Sequence, residues 1–207
     1  SGRVLYWETG KERRDALEEN RQLIREAGIL ELPSLVLVCG ATVGQSPREN
    51  YEQIRDGIGT LADEAASHGV RLLVEPLHPV YAGDRSAIPS LRVANDLCEE
   101  VNHHNVGIAL DVYHVWWDPM LKAEIFRAGA ARLAGFHIND WLVPTTDLFS
   151  GRGMMGDGVI ELRKIRGWME QAGYRGSVEI EIFSELWWQK NPDDVIKLAI
   201  DRALQFA

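Results

Sequence analysis

The chain has 207 residues, enough for one domain with a sizeable core, and its 45% apolar and 26% charged content is that of an ordinary globular protein. A formal net charge of −9 argues against a nucleic-acid partner, because phosphate binding needs a basic surface. Two cysteines, Cys39 and Cys98, without CxxC spacing offer neither a disulfide framework nor a zinc knuckle.

No apolar run reaches membrane-spanning length, and the start of the chain lacks a charged-then-apolar leader, so a cytoplasmic location and no membrane partner are expected. Residues 1–10 read as a loop leading into a helix over 11–27. An apolar run at 35–38 follows. Ser46-Pro47 then opens the clearest helix, a capping residue with proline in the first turn. Its apolar positions Tyr51, Ile54, Ile58, Leu61 and Ala65 fall on one face, and Gly69 closes it. Further apolar runs at 70–74, 106–110, 133–138 and 178–182 alternate with helical patterns at 88–101, 119–131, 160–172 and 192–205. Short Val/Leu/Ile runs alternating with amphipathic helices imply βαβ units around a buried parallel sheet. The whole chain, 1–207, reads as a single domain.

Two parallel architectures compete. A doubly wound sheet usually carries a Gly-rich phosphate loop after its first strand. None of these runs is followed by GxGxxG or GxxxxGK[ST]. A (β/α)8 barrel places its chemistry at the C-terminal ends of several strands. Here Glu75 follows LLV, Asp111 ends GIALD, His137 follows AGF, and Glu181 follows VEI. The barrel is favoured. Only five strands are legible, so the chain is expected to be an N-terminally incomplete barrel lacking three strands, roughly 60–80 residues.

Three carboxylates and one imidazole at successive strand ends suit a divalent cation such as Mn²⁺, Mg²⁺ or Co²⁺ better than a thiolate-seeking metal. Mn²⁺ is the expected ion, with Mg²⁺, Co²⁺ and Zn²⁺ as alternatives. Strand alternation puts Leu73 and Arg71 on the face of Glu75, Ala109 and Gly107 on that of Asp111, and Gly135 and Leu133 on that of His137. Glu179 and Glu181 share a face in VEIEIF. Glu181 lies nearer the strand's C-terminal mouth, and Glu179, a layer deeper, is expected to pair with Arg71. Trp116, Trp117, Trp141, Trp187 and Trp188 fall on loops at the same end. They suit the C–H face of a sugar or cyclitol, or packing between loops or subunits of a homo-oligomer. Trp7 precedes any legible strand.

LLVEPLHP, VGIALDVYHVWWDP, LAGFHINDW, GRGMMGDGVIEL and GYRGSVEIEIF together resemble the xylose-isomerase-like TIM barrels, specifically the sugar phosphate isomerase/epimerase group. The resemblance runs from the fourth family strand to the eighth. It implies a mononuclear metal site of Glu75, Asp111, His137 and Glu181. Glu75 and Glu181 would also move protons at adjacent substrate carbons, through a metal-stabilised enediolate. It also implies substrate contacts from His114 and Arg152. His78 is either a further contact or a loop histidine bonded locally. Asp140 either orients a ligand or caps the loop. The extra ligands of the trinuclear DNA-repair endonucleases are missing: Val38-Cys39 precedes Gly40, and Gly151 and Gly153 flank Arg152. The implied activity is isomerisation or epimerisation of a keto-sugar or related polyol. The alternatives are a lyase or dehydratase acting on an inosose or 3-keto-glycoside, and a sugar-binding barrel without turnover.

Overall fold

The computed structural model describes residues 4–5, 11–42, 44–83 and 85–207. Strand β1 (Val4–Leu5) is followed by helix α1 (Lys11–Ile29), β2 (Ser34–Cys39), α2 (Pro47–Ser67) and β3 (Arg71–Val74). A 3-10 turn (Pro79–Tyr81), α3 (Leu91–Val101), β4 (Val106–Asp111), the one-turn helix α4 (Val112–Val115) and α5 (Leu121–Arg132) come next. They lead to β5 (Leu133–Ile138), a small ribbon of β6 (Asp140–Trp141) and β7 (Arg152–Gly153), α6 (Leu162–Gln171), β8 (Glu179–Ile180), α7 (Glu185–Trp188) and α8 (Pro192–Phe206).

One six-stranded sheet runs in the order β1-β2-β3-β4-β5-β8, with every pairing parallel. It therefore holds one strand more than the five legible in the sequence. Val4–Leu5 pairs with Val38–Cys39 where the sequence reads as a loop, because two residues carry no periodicity. Trp7 lies outside the described residues.

Local chemistry explains the elements. Ser46 and Glu49 form a reciprocal capping box that starts α2, with Ser46 N–H donating to Glu49 Oε2 at 2.7 Å. Gly69, at φ 71°, turns the chain out of α2 into β3, a conformation other residues adopt only with strain. Ser90 caps α3, so that helix starts later than the expected residue 88, and Ile88 instead accepts a hydrogen bond from Leu77 N–H.

The outer side of the sheet (Leu72, Val74, Ile108, Leu110, Phe136 and Ile138) packs against Ile54, Ile58, Leu61, Leu97, Ile125 and Ile165 of the helices. The inner side is crowded. A Cβ on Gly135 would sit 3.0 Å from Ala109 Cβ, and one on Gly107 would sit 3.1 Å from the Arg71 guanidinium carbon and 2.8 Å from Arg132 O. Leu73, Ala109 and Gly135 thus share an inner layer, as alternation requires. Leu133 does not join them. A register irregularity between Ile108 and Ala109 pairs Ile108 with Leu133 and Ala109 with Gly135, so the extra residue turns Leu133 into the outer core. Because a backbone oxygen blocks the space beside Gly107, Gly107→Ala is expected to destabilise the fold by about 1–3 kcal/mol in urea unfolding.

Arg71 and Glu179 do not pair. Arg71 Nη2 donates to Ala131 O at 2.5 Å, while Glu179 sits on the edge strand β8 with its side chain 65% exposed. The edge position lets water solvate Glu179, so it needs no buried partner. No described helix is long and apolar enough to cross a membrane.

Candidate metal centre

Four parallel strands deliver the four predicted ligands to one place. One ligand atom from each of Glu75, Asp111, His137 and Glu181 lies within 4.8 Å of all the others. Glu75 follows β3, with its N–H bonded to Leu37 O, and Glu181 follows β8, with its N–H bonded to Ile138 O. Asp111 and His137 are paired neighbours on β4 and β5. Glu75, Asp111 and His137 are buried, whereas the Glu181 side chain is 37% exposed towards the cavity.

This donor set fits a hard divalent cation. Glu75 Oε1 stands 3.3 Å from His137 Nδ1, and Glu181 Oε2 stands 3.7 Å from the same nitrogen. Yet Glu75 Oε1 and His137 Nδ1 are both buried without a hydrogen-bond partner. Buried lone pairs converging without donors are costly unless a cation lies between them.

Charge is balanced tightly around Asp111. Its Oδ1 accepts from Tyr113 N–H and Asn139 Nδ2, both at 2.9 Å, and its Oδ2 accepts from Arg152 Nη1 at 2.7 Å. Arg152 Nη1 also reaches Glu181 Oε2 at 3.2 Å. Burial alone would raise the Asp111 pKa, but Arg152 foremost, then His114 and His137, hold it down at about 2. Burial raises the Glu75 pKa. Burial disfavours a charged His137 ring, but the carboxylates of Glu181, Glu75 and Asp111 outweigh this and push it up to about 11. The negative charge that would hold a proton on a free His137 ring is the charge a bound cation would meet in its place.

His114 lies three residues beyond Asp111 on α4, whose first turn Asp111 itself caps. Burial pushes the His114 pKa down to about 3, so its ring is neutral. Its Nδ1 accepts from His78 N–H at 3.2 Å, and its Nε2 faces Asp111 Oδ2 at 3.8 Å and Arg152 Nη2 at 3.3 Å.

A cavity of about 360 Å³ opens beside these groups, within the range of small-molecule pockets. His114 and Arg152 line it together with Glu75, His137, Glu179 and Glu181. His78, Trp116 and Trp141 do not line it. His78 Nδ1 accepts from Val80 N–H, and its ring stacks on Trp141 at 5.2 Å. Trp141 is buried against Tyr113 (4.5 Å) and Trp116 (5.6 Å), and Trp116 borders a different groove on the outer surface. The one-turn helix α4 and the β6–β7 ribbon bury these rings against each other, so they are unavailable to a cavity ligand. Trp187 packs on the main core, and Trp188 is exposed at the edge of Phe183. The cavity's aromatic walls are instead Tyr81, Phe149 and Phe183. Sequence reasoning missed these three and Arg85, because each depends on loop conformation, and it missed Asn139, which follows β5 but whose amide is neither a metal ligand nor an acid or base.

Asp140 takes the loop-capping role. Its Oδ2 accepts from Gly156 and Gly158 N–H, and its Oδ1 accepts from Trp141 and Ile160 N–H. Removing four charge-assisted bonds by Asp140→Ala is expected to cost at least about 2 kcal/mol and to expose residues 156–160 to limited proteolysis.

The sequence over residues 6–204 matches the family model described as the xylose isomerase-like TIM barrel. The chain belongs to that family. It is 41% identical to the protein SMc04130 of Sinorhizobium meliloti 1021, whose crystal structure matches at a TM-score of 0.95 over 100% of this chain and 76% of that one. An inosose isomerase of Halalkalibacterium halodurans is 22% identical over 200 residues, 93% of this chain and 68% of the relative. A crystal structure titled as the IOLI protein with a binding zinc atom matches at a TM-score of 0.84 and 19% identity, over 99% of this chain and 74% of that one.

Proposed function

We propose that this chain carries the active site of a divalent-metal-dependent isomerase or epimerase acting on a keto-sugar or related polyol. The observation that carries this reading is the convergence of three carboxylates and one imidazole, two of their buried donor atoms unsatisfied, at the wall of a ligand-sized cavity. The kinship with an inosose isomerase supports the same reaction class.

Each residue has a part in moving a proton beside a carbonyl. Glu181, open to the cavity, takes the proton from substrate carbon. Glu75, which lines the same cavity, is the partner that returns a proton to the opposite face or the neighbouring carbon. His114, which lines the cavity, contacts a substrate oxygen. Arg152 and Asn139 fix Asp111 and the Glu181 backbone carbonyl in place. Tyr81, Phe149 and Phe183 narrow the cavity and exclude water. Glu75, Asp111, His137 and Glu181 would hold a divalent cation, Mn²⁺ by preference, which would supply positive charge against the negative charge that grows on substrate oxygens.

Solvent deuterium exchange across a panel of keto-sugars and inososes, with Mn²⁺ added to the full-length protein, tests this. Incorporation of deuterium with the carbon skeleton and oxygens retained is expected. Incorporation accompanied by release of water or an aglycone would make the enzyme a lyase. Stoichiometric metal binding with no exchange on any substrate would make it a binding protein.

A further inference from the structure

Two guanidinium groups line the cavity, and they differ in how they are held. Arg152 is buried and committed to Asp111 and Glu181. Arg85 has no carboxylate within 4.0 Å among the described residues. Its guanidinium carbon lies 4.6 Å over the Phe149 ring and 5.7 Å from the Tyr81 ring centre. The Phe149 ring also packs against Phe183, ring centres 5.3 Å apart, and the loop backbone and the Tyr81 hydroxyl are held separately. Phe149 N–H donates to Asp147 Oδ1, and Tyr81 O–H donates to Leu148 O at 2.5 Å. Asp147 Oδ1 also accepts from Ser150 N–H and Oγ, so that oxygen is engaged in its own turn.

A guanidinium held by its face against an aromatic ring keeps its in-plane N–H donors free, in the fork that matches two oxygens of a phosphate or carboxylate. No side-chain N–H of Arg85 is spent on a protein acceptor among the described residues. The same cavity carries the acidic groups Glu75, Glu179 and Glu181, none of them within ion-pairing distance of Arg85. A neutral polyol would leave this cation unpaired beside its bound ligand, whereas an oxyanion on the substrate would complete it.

We infer that Arg85 is a specificity-determining residue that holds a terminal oxyanion, phosphate or carboxylate, of a sugar substrate whose reacting carbons face Glu75 and Glu181. This inference rests on the proton-transfer reading above for what happens to the ligand once it is held.

The test measures deuterium exchange by the Mn²⁺-loaded full-length protein on D-fructose, D-fructose 6-phosphate and the carboxylate analogue 5-keto-D-gluconate, and in parallel measures binding of inorganic phosphate and of acetate by calorimetry. An anionic sugar is expected to exceed fructose in kcat/KM, and whichever anion wins names the group. Arg85→Gln is expected to lower the ratio of anionic to neutral kcat/KM by about 10- to 100-fold, chiefly through KM, with Arg85→Lys retaining part of it. Oxyanion binding lost in Arg85→Gln but with no exchange on any sugar would keep the anion site and overturn the proton-transfer reading. Exchange on fructose and its phosphate with a ratio that Arg85→Gln leaves unchanged would keep the proton-transfer reading and overturn the anion site. Phosphate binding retained in Arg85→Gln, as for phosphate bound through the metal alone, would overturn it as well.

Discussion

Glu75→Gln is expected to lower deuterium incorporation into a keto-sugar by about 10²- to 10⁴-fold at saturating Mn²⁺, the range for loss of a positioned acid or base. Glutamine keeps the shape and an oxygen for the cation but can neither take nor hold the proton. The loss should fall on kcat, because at saturating Mn²⁺ the amide still lines the cavity and only the proton transfer is removed. Glu75 is buried and has an unsatisfied Oε1, so the neutral amide should not weaken the fold, which urea unfolding would verify. Exchange at the wild-type rate would remove Glu75 from the proton path.

Arg152→Met should act on stability first. Asp111 is fully buried, and its Oδ2 takes a 2.7 Å bond from Arg152, the only arginine or lysine paired with it among the described residues. Leaving a buried carboxylate without its cation costs about 3–5 kcal/mol. The loss is expected in the metal-free protein. Added Mn²⁺ should recover part of it, because positive charge returns beside Asp111 and a cation that binds only the folded state stabilises it. A loss below about 1 kcal/mol in the metal-free protein would mean that water and the Tyr113 and Asn139 donors already solvate Asp111.

Much of this site can be read from the sequence because a parallel sheet ties sequence position to spatial position. Glu75, Asp111, His137 and Glu181 each sit one step past, or at the end of, an apolar run, and the pairing of Asp111 with His137 brings neighbouring strand ends together. Alternation also put Arg71, Gly107, Ala109 and Gly135 on inward faces, where the fold brings Gly107 against Arg71 and Gly135 against Ala109. It failed at Leu133, since one extra residue in β5 reverses the face and leaves no mark in an apolar run. The Arg71–Glu179 pair failed for a different reason. Depth along a strand says nothing about whether the neighbouring position is filled, and β8 is an edge of the described sheet. The tryptophans were misplaced because position on a catalytic-end loop does not say which way a ring turns. In the fold, α4 and the β6–β7 ribbon turn Trp116 and Trp141 inward against each other and leave Tyr81, Phe149 and Phe183 to the ligand. The strand Val4–Leu5 escaped because its partner, β2, and not its own sequence, defines it.

The most direct test of the metal centre is metal stoichiometry, measured by equilibrium dialysis and elemental analysis on wild type, Glu179→Gln and Glu181→Gln. Glu179 lies 3.9 Å from His137 Nε2, away from the Nδ1 on which Glu75 and Glu181 converge. The expected result is one divalent ion per chain in wild type and in Glu179→Gln, with affinity falling at least about tenfold in Glu181→Gln. Two or three ions per chain, or binding lost in Glu179→Gln and kept in Glu181→Gln, would contradict a mononuclear centre built on Glu75, Asp111, His137 and Glu181.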